Sequence, residues 1–194
     1  LRKLGSSVSG FAMGTGLASA AQVLAAKATS PIPTAPAVVP NPVPPVQFIN
    51  QGDGSGNRMA ITFDDGPTPG VTNVVLDELR KRNLCATFFM IGKNVIVAPE
   101  LAGRVLAEGH EVGNHTFHHL KLNTLPDQQV DWEIQKTQDT LGEALNHRAA
   151  WFRPPYGEFR QNQIGIPQGK GLGVVLWSVD SRDWSQPGED KIVH

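Results

Sequence analysis

What most constrains the fold of this chain is an alternation that starts at Met59, in which short apolar runs are each followed by a segment with helical spacing. "MAITFDD" (59–65) reads as a buried strand, and "GVTNVVLDELRKRN" (70–83) follows with Val71, Val74, Val75 and Leu79 at helical positions. "CATFFMIG" (85–92) predicts a second strand, and Pro99 opens a helix carrying Leu101, Val105 and Leu106. "HEVGNH" (110–115) predicts a third strand. Thr124 and Pro126 read as the cap and first turn of a long helix with Val130, Ile134, Leu141 and Leu145 on one face. "AAWFRPPY" (149–156) and "GVVLWSVD" (173–180) predict two more strands, while the glycines and Pro167 of residues 157–171 weaken the helix expected between them. Strand–helix repeats of this kind imply parallel strands, in an α/β sheet or barrel.

The chain before this alternation has a different character. Residues 1–30 carry Arg2 and Lys3 early, then a mildly apolar stretch of small residues with two A-x-A-like sites, Ala18-Ser19-Ala20 and Ala26-Lys27-Ala28, the pattern of a bacterial secretory signal. Seven prolines between Pro31 and Pro45 favour an extended linker over a core. "GDGSG" (52–56) precedes a strand instead of following one, so it reads as a turn and not as a phosphate loop. The expected organisation is a leader (1–30), a linker (31–57) and a catalytic domain (58–194), secreted or held at a bacterial cell envelope close to membrane or wall, and monomeric. Charge narrows the partners: 17 Lys and Arg against 18 Asp and Glu leave a net charge of −1, which gives no basis for nucleic-acid binding and stays compatible with polysaccharide. The single cysteine, Cys85, excludes an intramolecular disulfide and, within "LCATFFM", is expected to be a buried structural thiol.

In parallel α/β folds functional residues gather at the carboxyl ends of the strands. Four unusual clusters fall there: Asp64-Asp65, the three histidines of "HTFHH" (115–119), Arg153–Tyr156, and Asp180–Trp184. Together they predict an active site. His115 and His119 are four residues apart, so one helical turn would place both rings on one face, with His118 pointing elsewhere. Two imidazoles and a carboxylate suit a zinc-like ion with an open position for water. Of the adjacent acids at a strand end, one can complete such a site while the other accepts a proton from the water. Arg153 is placed to orient the basic carboxylate, the Tyr156 N–H to hold an oxyanion, and Asp183-Trp184 to supply a carboxylate partner and an aromatic wall. A turn at Asp-Gly-Pro, a surface histidine cluster, a rigid Pro-Pro turn and a structural tryptophan are the plainer readings of each cluster taken singly.

"TFDDGP" (62–67), "HTFHH" (115–119), "RPPYG" (153–157) and "DSRDW" (180–184) resemble, in order and spacing, the first four motifs of the NodB-type polysaccharide deacetylases. The resemblance covers the chain from about Met59 onward. It implies a distorted, incomplete (β/α) barrel and metal-dependent hydrolysis of N-acetyl groups on chitin, chito-oligosaccharides or peptidoglycan, or of O-acetyl groups on xylan. It also implies that Asp64 is the general base oriented by Arg153, that Asp65, His115 and His119 bind a divalent metal (zinc, with cobalt or nickel as alternatives), that the Tyr156 amide helps stabilise the oxyanion, and that Trp184 lines the acetyl pocket. The family's general acid is a histidine in a late Leu-x-His motif, supported here by Asp183. "IVH" at the end is a poor match for it, because a parallel crossover needs about a dozen residues and "EDKIVH" reads as the first turns of a helix. The catalytic domain is therefore expected to lack its last helix and strand, and a polysaccharide-binding pseudoenzyme is the alternative reading.

Overall fold

The computed structural model describes residues 48–52, 58–186 and 188. The expected leader, the proline tract, most of "GDGSG" and the "EDKIVH" ending with His194 lie outside the described residues. Six short strands, β1 (Phe48–Ile49), β2 (Thr62–Asp64), β3 (Thr87–Met90), β4 (Glu111–Asn114), β5 (Trp151–Phe152) and β6 (Gly173–Val175), pair in the order β1-β6-β5-β4-β3-β2, every pair parallel. The helices are α1 (Val71–Lys81), α2 (Gly92–Val97), α3 (Pro99–Ala107), α4 (Asp127–Leu145) and the single turn α5 (Gly165–Gly169). The sheet curls into a half-barrel, the incomplete (β/α) barrel expected from the sequence.

The apolar runs place the core. In β3, Phe88, Phe89 and Met90 are all buried, as a parallel strand covered on both faces requires. Phe88, Met90, Val112, Phe152 and Val174 from the strands meet Leu76 and Leu79 of α1, Val105 of α3 and Val130, Ile134 and Leu141 of α4 in one cluster. Among the described residues no helix is long and apolar enough to cross a membrane.

The structure differs from the sequence reading in five places. Phe48 and Ile49, assigned to the linker, form β1 and pair with Val174 and Val175, so the sheet reaches back into residues 31–57. Helix α1 buries Thr72, Leu76 and Leu79, while Val71 and Val74 are exposed. The 72, 76, 79 spacing carries the two leucines inward and turns both valines to solvent. The strands at 149–156 and 173–180 are shorter than expected: the first ends at Phe152, ahead of Pro154 and Pro155, which have no N–H for a ladder, and the second ends at Val175. Residues 157–171 hold a 3₁₀ turn (Gln161–Ile164) and α5 in place of a full crossover helix. Cys85 is exposed, since it stands before β3 and burial begins only at Ala86.

Candidate active site

The carboxyl ends of β2 to β6 share one rim, and three of the four unusual clusters meet on it. Asp64 is the last residue of β2. Asp65 follows with φ 71°, a left-handed conformation that turns the chain off the strand, and its carbonyl accepts a 2.7 Å hydrogen bond from Asn94 Nδ2. Gly66–Pro67 is a cis peptide, and Gly66 O accepts from the Ile91 N–H just past β3 (3.0 Å).

The histidines leave β4 in an irregular loop and not in the helical turn that their spacing predicted. Thr116 and His119 both have positive φ (66° and 62°), and the Thr116 hydroxyl accepts the His119 N–H at 3.1 Å. The loop nonetheless brings the two rings together, with centroids 5.0 Å apart. His115, 2% exposed, donates from Nδ1 to Arg153 O at 2.7 Å. That bond fixes its tautomer and leaves the Nε2 lone pair facing the acids. His115 Nε2 lies 3.5 Å and His119 Nε2 3.1 Å from Asp65 Oδ1. One ligand atom from each of Asp65, His115 and His119 lies within 4.8 Å of the others. Ligands about 2.1 Å from a tetrahedral ion stand roughly 3.4 Å apart, so this two-nitrogen, one-oxygen set fits a zinc-like ion.

The protonation states suit that use. His115, and after it His119, hold the Asp65 carboxyl below its usual value, against the effect of its burial. Burial pushes His119 below its usual value, which keeps the imidazole neutral.

Asp64 is fixed from the other side of the rim. Arg153, 3% exposed, donates from Nη1 to Asp64 Oδ1 and to Thr62 Oγ1, both at 2.8 Å. Its Nη2 donates to Leu176 O at 2.8 Å and its Nε to Val175 O at 3.2 Å. One guanidinium thus ties the end of β2 to the end of β6 across the half-barrel, lying over the Phe89 ring at 4.2 Å. The second Asp64 oxygen lies 3.9 Å from His115 Nε2. Tyr156, at φ 61°, sets its ring against His119 with centroids 4.8 Å apart. Among the described residues its N–H donates to no partner, whereas those of Gly157 and Glu158 bond to Pro154 O and Pro155 O.

Asp183 and Trp184 are not brought to this cluster. They form a 3₁₀ turn in which Asp183 accepts from Ser181 Oγ (2.6 Å) and Trp184 is 76% exposed. The indole beside the site belongs to Trp177, 5.6 Å from the Arg153 guanidinium and pressed on Gly157, where a Cβ would lie 2.9 Å from its ring. Sequence reasoning missed Trp177 because it sat inside a presumed strand. It also missed Glu133, whose signal was an acid on the apolar stripe of α4 between Val130 and Thr137.

A sequence model described as polysaccharide deacetylase matches residues 51–175. The chain belongs to the polysaccharide deacetylase family. It is 43% identical over 146 residues to the chitooligosaccharide deacetylase of Bradyrhizobium sp., covering 74% of this chain and 67% of that one. It is 37% identical over 137 residues to the peptidoglycan-N-acetylglucosamine deacetylase of Bacillus cereus, covering 71% of this chain and 50% of that one. Among solved structures, the Bc1960 peptidoglycan N-acetylglucosamine deacetylase, in complex with 4-naphthalen-1-yl-N-oxidanyl-benzamide, superposes with a TM-score of 0.67 at 37% identity, over 69% of this chain and 62% of that one. The chain therefore spans between half and two thirds of the length of these family members.

Proposed function

We propose that the chain is a metal-dependent deacetylase that hydrolyses N-acetyl groups of a polysaccharide containing N-acetylglucosamine, chitooligosaccharide or peptidoglycan, and releases acetate. The observation that carries this reading is the convergence of Asp65, His115 and His119 beside an Asp64 carboxylate pinned by Arg153. The activities for which the two curated relatives are named support the substrate class.

A divalent ion held by Asp65, His115 and His119 would polarise the acetyl carbonyl and acidify a water. Asp64 would serve as the general base toward the attacking water, with Arg153 keeping one of its oxygens occupied and the other turned to the cluster. The free Tyr156 N–H is the donor for the oxyanion that forms at the carbonyl. The departing amine needs a proton; Asp183, expected to steady its donor, bonds Ser181 Oγ and, among the described residues, makes no hydrogen bond to the cluster. Zinc is the metal this reading favours, with cobalt or nickel as alternatives. The leader-like composition of residues 1–30 supports a secreted or envelope-bound enzyme acting near the wall.

The test is acetate release from chitopentaose, peptidoglycan and acetylated xylan, with zinc and with a chelator. Acetate from the first two, lost on chelation, is expected. Asp64→Asn should abolish release while zinc still binds. Release from xylan alone would make the protein an O-acetyl esterase. Glycan binding without acetate release would make it a polysaccharide-binding pseudoenzyme.

A further inference from the structure

We infer that Glu133, a buried acid of helix α4, is a positioning residue that sets the affinity of the metal site by holding the loop that carries His115 and His119; this rests on the metal reading above. Glu133 is 1% exposed, and a carboxylate that deep in a core must find donors. It finds all of them in the ligand loop. Oε2 accepts the N–H of Phe117 (3.0 Å) and of His118 (2.8 Å), and Oε1 accepts from His118 Nδ1 at 2.8 Å. Each is a charge-assisted bond, stronger than a neutral one.

The other side of the loop is clamped as well. The Gly92 and Lys93 N–H groups, at the start of α2, donate to Thr116 O (2.9 Å) and Phe117 O (3.2 Å). Asn114, fully buried at the end of β4, accepts the Thr116 N–H (3.0 Å) and donates to Ile134 O (2.9 Å), the residue next to Glu133. The segment between the two ligands therefore gives two carbonyls to one helix and two amides to the carboxylate of another. Such clamping is needed because Thr116 and His119 sit in left-handed conformations that non-glycine residues adopt only when the surroundings hold them there. Without Glu133 two amides and an imidazole N–H lose their acceptor, the left-handed turn relaxes, and His119 moves off the position that faces Asp65. His118, the third imidazole of "HTFHH", is then explained as well. It closes the clamp, and its ring stacks on Trp132 (centroids 5.7 Å, interplanar angle 12°).

The experiment measures zinc affinity by competition with a chromophoric chelator, on the full chain, alongside the urea midpoint of the metal-free protein. The variants are Glu133→Ala, Glu133→Asp, Glu133→Gln and, as a control in the same helix, Leu141→Ala. Glu133→Ala and Glu133→Asp should bind zinc about 10- to 100-fold more weakly, the range seen when a residue that orients a ligand is removed. Glu133→Gln keeps an oxygen for the two amides and should recover most of the affinity. Leu141→Ala removes core packing only, so its midpoint should fall while its zinc affinity stays at the wild-type value. Should Glu133→Ala fail to fold, Glu133→Asp carries the test, because it keeps the charge and shortens the reach. Wild-type affinity in folded Glu133→Asp, or an equal loss in Leu141→Ala, would overturn the inference and leave Glu133 a core residue. A wild-type protein that binds none of zinc, cobalt and nickel would instead remove the metal reading itself, and the inference with it.

Discussion

One guanidinium shows how much of this site is decided by single side chains. Arg153 spends four hydrogen bonds on Thr62, Asp64, Val175 and Leu176, a fork that a lysine ammonium cannot reproduce from one point. Arg153→Lys should strand at least one buried carbonyl of β6 and cost about 1–3 kcal/mol, read as a lower urea midpoint. With Asp64 no longer aimed, kcat/KM for acetate release should fall about 100-fold. Unchanged midpoints would show that the fork adds nothing to stability. A second expectation concerns pH. His119 is held below its ordinary value by burial, so the unfolded chain binds a proton that the folded chain resists. Stability therefore drops as pH falls below about 6.5, the unfolded imidazole value. Asp65, also depressed, adds to the loss at lower pH, where its carboxylate must be protonated. His119→Gln should flatten the upper part of that acid limb in urea titrations of the metal-free protein, and an unaltered limb would count against burial as the cause. Asp64, Asp65, His115, His119 and Arg153 stood out in the sequence through the co-occurrence of their clusters at strand ends and the resemblance of the four motifs in order, since each cluster taken singly also reads as a turn or a surface group. Trp177 was not legible, because nothing in a strand-like run says which indole the following turn will meet.

At the level of elements, apolar runs reported strands well and chain path poorly. "CATFFMIG" announced β3, and its core residues Phe88, Phe89 and Met90 follow from the run itself. The four-residue spacing of His115 and His119 suggested a helix, whereas the ring pairing comes from two left-handed residues in a loop, which spacing does not encode. That loop packs against α2 so closely that Gly92 has no room for a side chain: a Cβ there would lie 2.5 Å from Phe117 Cδ2 and 2.9 Å from Thr137 Oγ1. Gly92→Ala should therefore push Phe117 outward and cost about 1–3 kcal/mol by overpacking. It should also weaken zinc binding, since Phe117 lies between the two histidine ligands. A variant as stable as the wild type would mean that the α2–loop contact yields without strain.

The whole molecule depends on the two ends of its open sheet meeting through β6. On one side β6 pairs with β1, where the Leu176 N–H donates to Ile49 O at 2.7 Å and Phe48 sets its ring edge-on to Phe159, 6.1 Å away. On the other, Val175 O and Leu176 O receive the Arg153 guanidinium that holds Asp64 of β2. Strand β1 was invisible in the sequence because two residues beside a proline tract carry no periodicity, and only the pairing partner reveals them. Its role is to keep the end of β6 in register, so that both carbonyls stay within reach of Arg153. A chain beginning at residue 58 should then be less stable than one beginning at residue 48 by roughly 2 kcal/mol, from lost ladder bonds and partial apolar burial. The metal triad lies just past β2 and on the loop after β4, away from this edge, so zinc affinity should change little. Turnover should fall further than zinc affinity, because a loosened β6 releases Arg153 and with it the orientation of Asp64. Equal urea midpoints for the two chains would show β1 to be incidental. Equal losses in zinc affinity and turnover would show that the half-barrel responds as one body, with no separate path from β1 through β6 to the base.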